Sequence, residues 1–249
     1  MAWEDEFDAF AEIAELDDTF AGDGDLDGRV ATPSGQVWND ANGKLITADG
    51  QMKRDPEEAG LSSNYPQIDL GAPVTGMWCQ VSWLGDEEDS DVIQKNNGVV
   101  LICADDPARA GSPPTLNAFG AMLHPIFGPW AMAVTVYENA APLDEPQQFL
   151  AYPGGRLDID GTVYQCGWEL RGMILTVYCP DGSRVRVADP LFAEHAGRHM
   201  IWQTYLTASA GLAVRFERVL ATTAQLPGYV EPVPLRATRG GELEPYGGI

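Results

Sequence analysis

The sequence predicts an all-β fold, an antiparallel jelly-roll β-sandwich, and three observations predict it. Short apolar runs with a period of two recur from about residue 16 to residue 222. Turn signals join several of these runs into hairpins. The 27 glycines and 18 prolines in 249 residues supply the turns that such a fold needs. All-β sandwiches of this length are commonly one domain, and a chain this long buries a sizeable core without staples.

Taken in order, residues 1–15 form an amphipathic segment. Trp3, Phe7, Phe10 and Ala14 recur at helical spacing with acidic residues between them, which predicts a short N-terminal helix. Its polar face is too acidic for a membrane helix, so it packs on the sandwich or on a neighbouring subunit. Gly35 to Asn39 opens a strand. Lys44–Thr47 and Gln51–Lys53 flank Asp49-Gly50, a hairpin turn pair. Met77, Cys79, Val81 and Trp83 alternate as a strand with one face in the core. Val99 to Ala104, Ala131 to Tyr137 and Phe149 to Tyr152 read as further strands, and Pro113-Pro114 and Pro142 to Pro146 as surface loops.

The stretch from Tyr164 to Val187 reads as a three-stranded meander. Tyr164, Cys166, Trp168 and Leu170 share one face, and Gln165, Gly167, Glu169 and Arg171 the other. A two-residue turn at Arg171-Gly172 pairs Leu170 with Met173, Trp168 with Leu175 and Cys166 with Val177. A three-residue loop, Pro180-Asp181-Gly182, then pairs Val177 with Val185 and Leu175 with Val187, leaving Arg184 and Arg186 outside. Leu212 to Leu220 is the last strand, with Val214 and Phe216 inward. The organisation is thus 1–15, a sandwich over 16–224, and an extended C-terminal docking tail over 225–249, rich in Pro and Gly.

Composition narrows the function. Thirty-seven acidic residues against 15 Lys and Arg give a formal net charge of −22. Such a surface repels phosphate backbones and anionic lipid, which argues against nucleic-acid and membrane partners. The acidic start lacks the basic region of a signal peptide, and no apolar run reaches membrane-spanning length, so a cytoplasmic origin is expected. Cys79, Cys103, Cys166 and Cys179 form no C-x-x-C pair and each lies in an apolar strand pattern, as buried reduced thiols do.

Each candidate for chemistry lacks a named residue. Asp158 and Asp160 have the alternate spacing of glycosidase carboxylates on a strand, but no third acid follows and Gly161 suggests a turn. Asp86 to Asp91 reads as a solvated loop. Asp23, Asp25 and Asp27 open a D-x-D-x-D-G calcium loop whose twelfth position is Ser34 rather than Glu. His195 and His199 have the spacing of zinc ligands on a helix, yet Gly197 lies between them and His124 is the one other histidine. No nucleophile-elbow or P-loop motif occurs. Trp83 and Trp168 fall on core faces, leaving Trp130 and Trp202 as candidates for stacking on a sugar. No catalytic, cofactor-binding or metal-binding residue is assigned, and the chain is expected not to be an enzyme.

Three groups of residues carry a family resemblance. Asp18-Thr19-Phe20, Leu26-Asp27-Gly28-Arg29 and Gly35-Gln36-Val37-Trp38 resemble the opening of the concanavalin A-like (laminin-G-like) jelly rolls of bacteriophage minor tail proteins. Trp168 to Tyr178 with Asp181-Gly182 resembles the late hairpins of that family. Asp189 to Ala193 through Gly197, then Val214 to Val219, resembles its closing loop and strand. The resemblance covers roughly residues 16 to 222. It implies a non-enzymatic virion structural protein, assembled in the host cytoplasm. It would be a homo-oligomer docked on other virion proteins, with host cell-wall glycans as a further contact. A carbohydrate-binding module and a glucanase-like hydrolase are the alternatives.

Overall fold

The computed structural model describes residues 3–32, 34–40, 42–55, 57, 62–84, 99–109, 117–124, 131–138, 141–142, 152–153, 158, 160–206, 213–224, 235–237 and 243–245. Helix α1 spans Trp3–Ala11 and leads into β1 (Leu16–Asp18), β2 (Gly24–Asp25), β3 (Asn39–Asp40), β4 (Leu45–Ala48) and β5 (Gln51–Arg54). Then come β6 (Ser62–Asn64), β7 (Pro66–Asp69), β8 (Gly76–Leu84), β9 (Val99–Ala104), β10 (Ala118–His124) and β11 (Ala131–Glu138). Two short strands follow, β12 (Ala141–Pro142) and β13 (Tyr152–Pro153), and then β14 (Asp160–Arg171), β15 (Ile174–Tyr178) and β16 (Arg184–Ala188). A one-turn helix α2 (Pro190–Glu194) precedes β17 (His199–Leu206) and β18 (Ala213–Thr222), with β19 (Leu235–Ala237) and β20 (Leu243–Pro245) near the C-terminus.

These strands make two nine-stranded antiparallel sheets. Sheet I runs β16-β15-β14-β8-β18-β5-β4-β2, with β1 also on β18; sheet II runs β12-β11-β10-β9-β17-β7-β3, with β13 on β11 and β6 on β17. The antiparallel jelly-roll sandwich expected from the sequence is therefore what the chain forms. The core lies between the sheets. Met77, Cys79, Val81, Trp83, Cys166, Trp168, Leu175 and Val177 from sheet I meet Leu101, Cys103, Phe119, Val134, Met200 and Trp202 from sheet II. Trp168 spans the gap, its indole N–H donating to the Leu101 carbonyl at 3.1 Å. That bond satisfies the one polar atom of a ring that otherwise contributes only apolar area.

The hairpins follow their turn chemistry. Asp49 and Gly50 adopt φ of 57° and 72°, the pair of positive values a type I′ turn requires between Ala48 and Gln51. The loop Pro180-Asp181-Gly182 sets Val177 against Val185 and Leu175 against Val187, as its length and glycine predict. The preceding turn differs from expectation. Arg171 pairs with Ile174 and Leu170 with Leu175, so the turn is Gly172-Met173 and not Arg171-Gly172. Gly172 has φ of 57°, and placing it first in the loop meets the demand of a II′ turn. The slip is two residues, which leaves every side chain on its expected face.

Both outer faces are also partly covered. On sheet I, α1 lies over Trp78, Tyr178 and Leu220, into which it inserts Phe7 and Phe10. The amphipathic segment therefore packs on its own sandwich. Trp78, whose neighbours alternate cleanly toward the core, is buried because α1 roofs the opposite face. On sheet II, Val100, Ile102, Ala104, Ala118 and Ile201 form a second buried cluster. Gln67 pins the loop after β9 there, its amide exchanging bonds of 2.9 and 2.8 Å with the carbonyl and N–H of Ala108. At the C-terminus β19 and β20 pair as a hairpin within the segment expected to be extended. Among the described residues, no helix is long and apolar enough to cross a membrane.

Candidate functional site

The residues singled out by spacing are mostly held by local structure. Asp160 accepts from the backbone N–H and hydroxyl of Thr162 at 2.9 and 2.6 Å, which holds its carboxyl below the ordinary range. The Asp158 backbone N–H donates to the Tyr164 hydroxyl at 2.7 Å. The pair thus shapes the turn and bulge that open β14, and Ile159 lies outside the described residues. Asp23 caps the β4–β5 turn by accepting from Asp49 N at 3.3 Å, Asp25 is exposed on β2, and Asp27 accepts from Asp40 N at 3.0 Å. Ser34, at the twelfth position, is half-buried in the turn between Ala31 and Gly35. Among the described residues no three His, Cys, Asp or Glu side chains converge as metal ligands would.

The histidine spacing is not helical. His195 ends α2 and is buried, whereas His199 begins β17 opposite Asp69. Between them the chain presses Gly197 against Ala104, where an added Cβ would come within 2.0 Å of the backbone. The glycine is required by that close approach, and Cys103 Sγ accepts from its N–H at 3.1 Å. Trp202, expected at the surface, is instead fully buried, with its ring 5.1 Å from that of Trp38. Trp130 and Asp86 to Asp91 lie outside the described residues, as does the His124 side chain. All four cysteines are free and buried, as their strand positions predict.

The opening motif forms one cluster. Asp18 is fully buried and accepts from Phe20 N at 2.9 Å and from Trp38 Nε1 at 2.8 Å. Arg29 adds a two-pronged ion pair to the same carboxylate and lies over the Phe20 ring, 5.7 Å from its centroid. Phe20 takes φ of 54°, a left-handed backbone that the Asp18 bond to its own N–H supports. The residues of the motif thus fasten the first hairpin to the core.

A different, half-buried group lies on the outer face of sheet I. Four neighbouring strands, β14, β8, β18 and β5, place Gln165, Gln80, Arg218, Glu217, Ser82, Arg215, Gln51 and Lys53 on the outer face. The register sets Gln165 opposite Gln80 and Gln80 opposite Arg218, and in the next row Ser82 opposite Arg215. Three strand spacings make the band about 14 Å wide. Glu217 sits on the β-bulge of β18, where the extra residue turns its carboxylate outward. Glu217 Oε1 accepts from Gln51 Nε2 at 2.7 Å and from the Ser82 hydroxyl at 2.9 Å.

Arg218 is engaged at one margin, donating to Asp17 at 2.8 and 2.7 Å beside the ring of Phe7. At the other margin Lys53 binds Asp49 at 2.8 Å and holds that carboxyl below its usual range. The remaining capacity is in the middle. Among the described residues the buried Arg215 Nε has no hydrogen-bond partner, and neither the Gln80 nor the Gln165 side-chain amide is bonded to another side chain or carbonyl. Unsatisfied buried donors are rare, and each costs roughly 1–3 kcal/mol when no partner takes its bond. The signal that pointed here was the alternation of the meander, which put Gln165 outside; the contribution of β18 and β5 depends on non-local pairing.

No family model matches the sequence, and no curated protein does either. The fold does have counterparts. It is a concanavalin A-like jelly roll. The exoplasmic/lumenal domain of VIP36 in its Ca2+-bound form superposes with a TM-score of 0.54 and 11% identity, over 94% of this chain and 97% of that one. A LamA variant from Z. galactanivorans, in complex with laminaritriose and laminaritetraose, gives 0.54 and 8% over 83% and 97%. The legume lectin-like domain from Entamoeba histolytica gives 0.54 and 8% over 76% and 90%.

Proposed function

We propose that this chain is a non-enzymatic glycan-binding β-sandwich that reads a neutral polysaccharide with the polar band of sheet I. The observation that carries the reading is the row of uncommitted polar groups, the Gln80 and Gln165 amides and Arg215 Nε, on one outward face. Sugar hydroxyls each donate and accept, and planar amide, carboxylate and guanidinium groups match them in pairs. The band is balanced in charge: Lys53, Arg215 and Arg218 stand against Glu217, Asp17 and Asp49. A neutral polyol suits that balance, and the net charge of −22 disfavours an anionic one. The printed names of proteins sharing the fold, a legume lectin-like domain and a LamA variant in complex with laminaritriose and laminaritetraose, support the same class of ligand.

Glycoside cleavage requires two carboxyl groups facing each other across the bond. Within the band Glu217 is held by Gln51 and Ser82, and Asp17 by Arg218. The reading is therefore of binding without cleavage. Titration of laminari-oligosaccharides and a panel of envelope polysaccharides tests it. At least one should bind, and Gln80→Ala and Gln165→Ala should each weaken it about tenfold, the loss of roughly one good hydrogen bond. Binding by no member of the panel, binding indifferent to both substitutions, or new reducing ends released by wild type would overturn it.

The sequence resemblance favours a setting for this activity. In that setting the chain is a subunit of a bacteriophage particle and the glycan belongs to the host cell wall. Because α1 is committed to its own sandwich, docking on other virion proteins falls to residues 225–249. Mass spectrometry of purified particles checks this; absence of the chain from them would remove the virion role and leave the glycan reading standing.

A further inference from the structure

Three of the four cysteines lie in one transverse row of sheet I. Cys79 on β8 pairs directly with Cys166 on β14. Tyr178 pairs with Gly167, so Cys179, one residue beyond β15, extends the same row past Cys166. The Sγ atoms of Cys79 and Cys166 are 3.5 Å apart, and both residues are fully enclosed between the sheets. Directly opposed residues of an antiparallel pair bring their Cα atoms within the separation that disulfides span, and a modest rotation about each Cα–Cβ bond closes the remaining gap. Cys103 is differently placed, on sheet II, with its sulfur bonded to both backbone polar atoms of Gly197.

We propose that Cys79 and Cys166 are a redox-modifiable pair that closes into a cross-strand disulfide when the chain folds in the presence of a small disulfide oxidant such as oxidised glutathione. The thiolate of one cysteine attacks the oxidant, forming a mixed disulfide and releasing one glutathione thiolate. The second cysteine's thiolate then attacks the protein sulfur and releases the other glutathione. The two protein thiols lose two protons and two electrons in all, and one oxidised glutathione becomes two reduced molecules. Closure belongs to the folding chain because β8 and β14 are interior strands of sheet I, flanked by β18 and β15. Once packed, neither sulfur meets solvent, and burial pushes the Cys79 thiol well up, out of the reactive thiolate form. The disulfide would close a loop of 87 residues, so it constrains the unfolded chain strongly.

The test is refolding of the full chain from denaturant, once in reduced glutathione and once in a mixture with oxidised glutathione, followed by peptide mapping. The expected product of the second arm is a Cys79–Cys166 link with a loss of the mass of two hydrogen atoms. Its Tm should lie roughly 5–15 °C above that of the reduced form. Folded reduced protein held in the same mixture should keep its thiols over hours. Cys79→Ser, whatever its own baseline stability with a hydroxyl in the core, should have the same Tm in both refolding arms and gain nothing from the oxidant. A Cys166–Cys179 link, persistent mixed disulfides, no link at all, rapid closure in the folded protein, or the same Tm gain in Cys79→Ser would each overturn the proposal.

Discussion

Asp18 shows how much one side chain can organise. It is a fully buried carboxylate that ties together Phe20, Trp38 and Arg29, three residues spread over twenty positions of sequence. Removing one partner of such a pair leaves the other charge buried without compensation, at about 3–5 kcal/mol. Asp18→Ala should lower the urea-unfolding free energy by that amount, while Thr19→Ala, at an exposed neighbour, changes it by less than about 0.5 kcal/mol. Equal effects from the two would remove the cluster from the account of stability. Asp40 makes a pH-dependent contribution of the opposite kind. Burial raises its carboxyl above the ordinary range, Asp27 adds to the rise, and the N–H groups of Leu45, Lys44 and Asn42 pull it back. The folded chain thus holds this proton to higher pH than the unfolded chain does. Its contribution is largest below the ordinary carboxylate range and is lost as pH rises through the raised value. Asp69, lowered mainly by its bond from Arg198, works the other way, losing its contribution as pH falls. The stability of wild type minus that of Asp40→Asn should fall as pH rises above the ordinary carboxylate value of about 4; a difference constant with pH would sink the assignment.

At the scale of elements, side-chain faces were legible in the sequence and long-range partners were not. The meander from Tyr164 to Val187 displayed its core face because alternation is local, and the Pro180-Asp181-Gly182 loop set its register correctly. The turn before it lies one residue later than expected, which shifts the strand pairing by two, and a shift of two preserves every face and so leaves no trace in the apolar pattern. The strands β7, β10 and β17 carried no clear period because both faces of sheet II are buried, β17 beginning at the histidine pair that resembled a helix. Sheet I shows the same double burial under α1. There Gly167 lets Trp78 approach so closely that a Cβ would meet its ring and the Met77 carbonyl at 2.6 Å, and Gly76 leaves a similar gap filled by Phe10. Gly167→Ala should therefore cost about 1–3 kcal/mol through displacement of Trp78. Phe10→Ala should cost about 3–5 kcal/mol through the cavity beneath the helix. Thermal melts followed by indole fluorescence check both, because both perturb Trp78, and the larger Tm loss is expected for Phe10→Ala; a silent Gly167→Ala would mean that α1 yields freely.

For the whole molecule, the site was less legible than the fold. Four strands drawn from residues 51–54, 76–84, 160–171 and 213–222 bring Gln51, Gln80, Gln165 and Glu217 together, and no local spacing encodes that meeting. The same closure makes the fold one unit, because β1 pairs with β18, setting Leu16 against Ala221. Removing residues 225–249 should thus leave the Tm within about 2 °C of wild type, whereas a cut that removes β18 takes the central partner of β8, β5 and β1 and should abolish cooperative unfolding. The net charge of −22 acts on this same unit. Self-repulsion among 37 acidic groups opposes the compact state, and it is long-ranged, so it is screened when the Debye length falls from roughly 30 Å at 0.01 M salt to 10 Å at 0.1 M. The Asp18–Arg29 pair, being sheltered, is screened much less. The two effects predict that sodium chloride stabilises the protein over that range, raising the Tm by several degrees, and that Asp18→Ala shows the same salt slope from a lower starting point. A Tm that falls with added salt would mean that exposed ion pairs such as Asp69–Arg198, rather than the overall repulsion, dominate the electrostatics.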